Sequence, residues 1–181
     1  MKLQLTNGYR PRFDQISRIM QFLLTKEGQK KVSRQEIILA LGIPDKQIEN
    51  LTSMMTSFGL VRPRVSLLTN FGKAVIQSDP YFDKLETLWI IHYIVSSNPE
   101  WVVWYRIINL VLPAQDHFEI DLISKQYFSD LAIHFSERTV SEKLPKEVGA
   151  VFAAYSRSEL SHLRILEAEG TGNFIKSNPV D

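Results

Sequence analysis

The chain has 181 residues, 44% of them hydrophobic and 23% charged, and its 21 Lys/Arg and 20 Asp/Glu give a formal net charge of +1. That composition excludes an intrinsically disordered chain, and the length is enough for one domain or two small ones with buried cores. With no cysteine, disulfides, iron–sulfur clusters and thiolate zinc sites are excluded.

The near-neutral total conceals a division. Residues 1–80 hold twelve Lys/Arg against six Asp/Glu, a net of +6, and residues 81–181 hold nine against fourteen, a net of −5. A basic helical half faces an anionic partner, and nucleic acid is the commonest of these because neutralised phosphates supply much of the binding energy. Met1–Phe13 has no apolar run of the signal-peptide kind, so a cytoplasmic protein is expected.

Phe13 to Lys26 places apolar residues at 13, 16, 19, 20, 23 and 24, the spacing of one helical face. Gly28 ends that helix and a basic loop, Gln29–Lys30–Lys31, follows. Ser33–Arg34–Gln35–Glu36 has the form of a capping box, opening a short helix over Gln35–Leu41 that stops at Gly42. Pro44 and Asp45 suit the first turn of another helix, in which Ile48, Leu51, Met55 and Phe58 share a face before Gly59 supplies a left-handed cap. Helix, tight glycine turn and helix is the helix-turn-helix order. Leu60–Arg62 and Val65–Leu68 then read as a small hairpin around Pro63–Arg64, and Thr69–Asn70 caps a helix over Phe71–Gln77. The expected fold is therefore mainly α: a winged helix-turn-helix over residues 1–80, then an acidic helical domain over 81–181.

This arrangement names candidate DNA contacts. The solvent face of the second helix of the motif is expected to present Lys46, Gln47, Asn50 and Ser53, residue types that reach base edges in the major groove. Arg62 and Arg64 flank the hairpin tip, and Lys30, Lys31 and Arg34 are candidate phosphate contacts.

In the second half, Leu85, Leu88, Trp89, His92 and Val95 share one helical stripe, and Trp101, Trp104, Tyr105 and Leu112 form another. Both stripes read as core, with His92 a core or interface histidine. The apolar runs Leu88–Val95 and Trp101–Leu112 are too short to span a bilayer, so no membrane partner is expected. Asp79–Pro80–Tyr81–Phe82, Thr87–Leu88–Trp89–Ile90–Ile91–His92–Tyr93, Ser97–Asn98–Pro99 and Trp104–Tyr105 before Asn109 together resemble an uncharacterised prokaryotic family of unknown function. The resemblance runs from about residue 40 to 155. Members of that family tend to lie near genes for phosphoadenosine-phosphosulfate-reductase-like proteins, in DNA-modification or phage-defence clusters of the phosphorothioation type. The resemblance implies a role in such a system and supplies no catalytic residue.

Further on, Ile120, Leu122, Ile123, Tyr127, Phe128, Leu131 and Phe135 mark an amphipathic helix. Thr139–Glu142 could cap another, and Pro145 permits a fresh helix start, which leaves a second helix-turn-helix-like unit open. A short helix is expected within Ser158–Glu169 and a last strand at Asn173–Lys176.

Enzyme chemistry is not expected. His92, His117, His134 and His162 are well separated, and Gly170–Thr171–Gly172 carries no phosphate-loop lysine. No cofactor or metal is predicted. The expected function is duplex-DNA binding, as a regulator or an accessory subunit of a DNA-modification or defence system, with the acidic half forming a homodimer or docking a partner. The alternative is a protein–protein adaptor that uses the same fold without touching DNA.

Overall fold

A computed structural model describes residues 1–64 and 66–177. The protein is mainly helical with one small three-stranded sheet. The chain forms two compact units. One is contiguous, Pro11–Ile94, and the other joins Met1–Arg10 to the chain from Val95 onward. The expected boundary at residue 80 thus falls at 94, and the first ten residues belong with the distant half.

In the contiguous unit, α1 (Phe13–Leu24) buries Phe13, Ile16, Ile19, Met20 and Leu23, the stripe read from the sequence. α2 (Arg34–Leu41) begins with the full capping box. Ser33 Oγ accepts from the Glu36 N–H at 3.2 Å and the Glu36 carboxylate accepts from the Ser33 N–H at 2.7 Å. The Ser33 N–H and the Ser33 hydroxyl, both donating to it, hold the Glu36 carboxyl below its ordinary value. Gly42 closes α2 at φ 65°, a left-handed position that glycine occupies without steric cost. α3 (Asp45–Ser57) ends in a Schellman arrangement, in which Gly59 N–H donates to Thr56 O and Leu60 N–H donates to Met55 O.

Beyond α3 the described residues of the expected hairpin form the antiparallel bridge Val61↔Leu68, with Arg62 N–H donating to Leu67 O at 2.7 Å. Val65, part of the expected second strand, lies outside the described residues. Thr69 caps α4 (Asn70–Ser78) by accepting from Gly72 N–H at 2.9 Å. Asp79, buried, then accepts from the N–H groups of Asp83 and Lys84 at 2.9 and 3.2 Å and turns the chain into α5 (Leu85–Ser96). Phe82 seats in the core edge-on to Phe13, ring centroids 4.9 Å apart, and Phe13 stacks on Phe58 at 5.9 Å.

The reading of Trp89 as core is corrected. α5 buries Thr87, Leu88, Ile91 and Val95, whereas Leu85 and Trp89 are about half exposed. This helix is apolar nearly all round, so periodicity could not tell which stripe turns inward. His92 is half-buried, meets Trp89 edge-on at 5.3 Å, and burial pushes its imidazole below the ordinary histidine range.

In the discontinuous unit, α6 (Val102–Arg106) runs through a π-helical turn (Ile107–Val111) into α7 (Leu112–Ala114). Trp101, Trp104 and Leu112 are buried as expected, and Trp104 Nε1 donates to the Tyr155 hydroxyl at 3.0 Å. α8 (Ile120–Phe128) is shorter than expected and passes into a 3-10 turn at Ser129–Ile133. The expected break at Pro145 is absent, because Ser136 caps a single helix, α9 (Glu137–Arg157), that runs through the proline. A proline within a helix costs about 3 kcal/mol; the stripe Leu144, Val148, Val151, Phe152 and Tyr155, buried on both sides of it, offsets that. The order helix, turn, helix is kept by α8, the 3-10 turn and α9, with the second helix beginning at Glu137 rather than at Pro145. Within the expected helix at 158–169 a 3-10 turn (Glu159–Leu163) gives way to a strand.

The sheet is antiparallel in the order β1 (His117–Glu119), β3 (Asn173–Lys176), β2 (Leu166–Ala168). Its register sets Phe118 and Ala168 on either side of Phe174, and both phenylalanines meet Phe152 of α9 at 5.5 and 5.0 Å. The N-terminal segment crosses this unit as a strap. Lys2 pairs with Trp101 through Lys2 N–H to Glu100 O and Val102 N–H to Lys2 O, and Leu3 and Leu5 are buried. Among the described residues no helix is long and apolar enough to cross a membrane.

Candidate nucleic-acid interface

The sequence places its candidate contacts on three local structures: the loop after α1, the start of α2 with the outer face of α3, and the turn at the Val61↔Leu68 bridge. In the first, the chain leaves α1 by way of Gly28 at φ 89°, and Lys30 and Lys31 are exposed. In the third, Arg62 and Arg64 are exposed on either side of Pro63. Arg64 has φ 69°, a left-handed position that a non-glycine residue occupies at a cost of about 1–2 kcal/mol. Glycine would fit that corner without strain; here the tip carries a guanidinium instead.

The second structure differs from expectation. α3 packs against both α1 and α2, so its buried arc spans about half the helix and takes in Asn50, Met54 and Ser57 as well as Ile48, Leu51 and Met55. Asn50 is only 8% exposed and is not on the solvent face. Gln47 and Ser53 are half-buried, and Lys46 is exposed. The outer ridge reads Asp45, Lys46, Glu49, Thr52, Ser53 and Thr56. Arg34 spans the start of this ridge, with ion pairs to Asp45 at 2.9 Å and Glu49 at 3.4 Å. Its charge is therefore shared with two carboxylates, and the four charges of Arg34, Asp45, Lys46 and Glu49 cancel.

The cations that make no ion pair with another described residue are Lys30, Lys31, Lys46, Arg62 and Arg64 among the candidates. A recess of about 140 Å³ lies between the first and third structures, lined by Leu23, Leu24, Glu27, Gly28, Gln29, Arg62, Leu67, Leu68 and Lys73. Lys73 of α4 was not among the residues singled out from the sequence. It faces the same recess and is ion-paired with Glu27. Only chain topology brings Lys73, 46 residues distant, to Glu27, and no local pattern announces it.

The contiguous unit carries eleven Lys/Arg against eight Asp/Glu, a net of +3. The +6 of residues 1–80 is thus diluted by Lys2 and Arg10 passing to the other unit and by Asp83 and Glu86, offset in part by Lys84, joining this one. Among the described residues no three His, Asp or Glu side chains converge where they could hold a metal ion.

No curated protein and no solved structure matches the chain significantly. A family model does, over residues 9–173, a wider span than the resemblance read from about residue 40 to 155. The chain belongs to that family, which is described as a protein of unknown function (DUF4007).

Proposed function

We propose that the Pro11–Ile94 unit is a winged helix-turn-helix and that the protein binds duplex DNA, with the Pro63 turn as its wing. The observation that carries this reading is the presentation of Arg62 and Arg64, exposed and without carboxylate partners among the described residues, on a turn that accepts backbone strain at Arg64. Lys30 and Lys31 add two further exposed cations beside the recess that Arg62 lines. Phosphate contacts of this kind position a protein without reading sequence. With Asn50 turned inward, base contacts fall to Lys46, Gln47 and Ser53, so binding with modest sequence preference is the expected behaviour. In the cytoplasm such a protein would act as a regulator, or as an accessory subunit of a DNA-modification or phage-defence system.

The test is fluorescence anisotropy with a labelled random duplex over a range of salt. Log affinity is expected to fall linearly with log salt. Arg62→Ala with Arg64→Ala should flatten that slope by about one unit for each phosphate that is no longer neutralised. Absence of binding at low salt, or an unchanged slope in the double variant, would overturn the proposal. A second reading, an adaptor that does not touch DNA, is favoured by the charge cancellation along α3. It predicts no duplex binding and capture of a protein partner instead.

A further inference from the structure

α5 buries one apolar face and leaves another open. Leu85, Trp89, Ile90 and Tyr93 are 49%, 47%, 45% and 70% exposed, and Tyr81 just ahead of the helix is 69% exposed. At 3.6 residues per turn the four helical positions, with Glu86, occupy a single arc of about 140°. The His92 ring meets Trp89 edge-on, and tryptophan is the residue type that most often dominates binding energy at an interface.

The five apolar side chains offer on the order of 600 Å². That is the upper end of what a monomer carries as one patch. With Glu86 and the flanking Asp83 and Lys84, all exposed, the surface approaches the ~800 Å² per partner of a stable interface.

We propose that this face is a homodimer interface, in which α5 packs antiparallel on the α5 of a second copy about a two-fold axis between Trp89 and Ile90. The face is self-complementary in that arrangement. Trp89 meets the partner's Ile90, and Glu86, the charged residue of the arc, lies beside the partner's Tyr93 ring. The two Glu86 positions are then about 10 Å apart along the helix axis, whereas a parallel pair would set them side by side.

The experiment is sedimentation equilibrium of the full chain without DNA, at low and high salt. A dimer is expected whose association holds or strengthens as salt rises, since apolar burial drives it. Ile90→Glu should weaken it at least 100-fold with helical content unchanged, because the side chain is half exposed in the single copy. Leu122→Glu, 53% exposed on α8, should leave the dimer intact. The chain has no cysteine, so Ile90→Cys gives one thiol per copy and should form a disulfide dimer on mild oxidation faster than Leu122→Cys. A monomer at 100-fold the working concentration, a dimer indifferent to Ile90→Glu, or equal cross-linking of the two cysteine variants would each overturn the proposal and assign the face to a different protein. None of these readouts involves DNA, so the DNA-binding reading stands or falls separately.

Discussion

Glu147 is the most exacting residue of the discontinuous unit. It lies on α9, is 1% exposed, and accepts from Leu5 N–H at 2.7 Å, Thr6 N–H at 2.8 Å, the Thr6 hydroxyl at 2.9 Å and Gly8 N–H at 3.2 Å. Glu147→Ala would leave the buried Leu5 and Thr6 N–H groups without that acceptor, at about 1–3 kcal/mol each, and Gly8 N–H with Thr6 Oγ1 alone. The strap could instead peel away, exposing Leu3 and Leu5 at roughly 1.5–3 kcal/mol each. Either route costs about 3–5 kcal/mol. Glu147→Gln keeps one oxygen for Leu5 and Thr6 but sets an amide N–H₂ against Gly8 N–H, so a smaller loss of about 1–2 kcal/mol follows.

The assay is urea unfolding followed by the fluorescence of Trp101 and Trp104, in a Trp89→Phe background that removes the third tryptophan. At urea slopes of about 1–3 kcal/mol per molar the alanine midpoint should fall by about 2 M. The pH dependence has a definite sign. Burial pushes the Glu147 carboxyl above its ordinary 4.5, outweighing the hydrogen bonds that pull it down. A raised carboxyl contributes stability that is full below the unfolded value and lost as pH rises through the folded one. The advantage of wild type over Glu147→Gln should therefore shrink from pH 4.5 upward. An alanine variant within 0.5 kcal/mol of wild type, or an advantage that grows with pH, would refute the reasoning.

Two further substitutions probe the contiguous unit. A Cβ at Gly72 would lie 2.0 Å from Leu60 O, which also accepts from Thr69 N–H; Gly72→Ala should lower stability by about 2–3 kcal/mol in thermal melts, and a gain near the 1 kcal/mol of helix propensity would contradict that close approach. Asp79→Ala removes the acceptor for Asp83 and Lys84 N–H and should cost about 1–2 kcal/mol, with Asp79→Asn milder; equal losses in denaturant titration would show that the charge, not the cap, matters.

What the sequence reveals best is chemistry closed within a few residues. Ser33 and Glu36, Gly42, Gly59 and Thr69 mark helix ends because each satisfies orphan backbone groups of its own turn. Burial was less legible. Asn50 turns inward because α3 is packed by two helices rather than one, widening its buried arc past the apolar stripe. Trp89 turns outward because α5 has two apolar faces and only one interior to fill. Pro145 looks like a boundary, yet the stripe from Leu144 to Tyr155 decides in favour of one helix. β1 is three residues long and exists through its pairing with β3, in which Phe118 faces Phe174, so no local alternation could show it. The candidate cations were legible as residues; the ion pairs that neutralise Arg34 depend on how α2 meets α3.

The split course of the chain bears on how the protein is made. Residues 11–94 close on themselves and can fold as soon as they leave the ribosome. The strap that precedes them cannot, because its acceptor at Glu147 is 141 residues beyond Thr6. At about 5–20 residues per second the nascent chain holds Leu3 and Leu5 exposed for roughly seven to thirty seconds before α9 emerges to receive them. Vectorial synthesis thus completes the middle of this protein first and its beginning last.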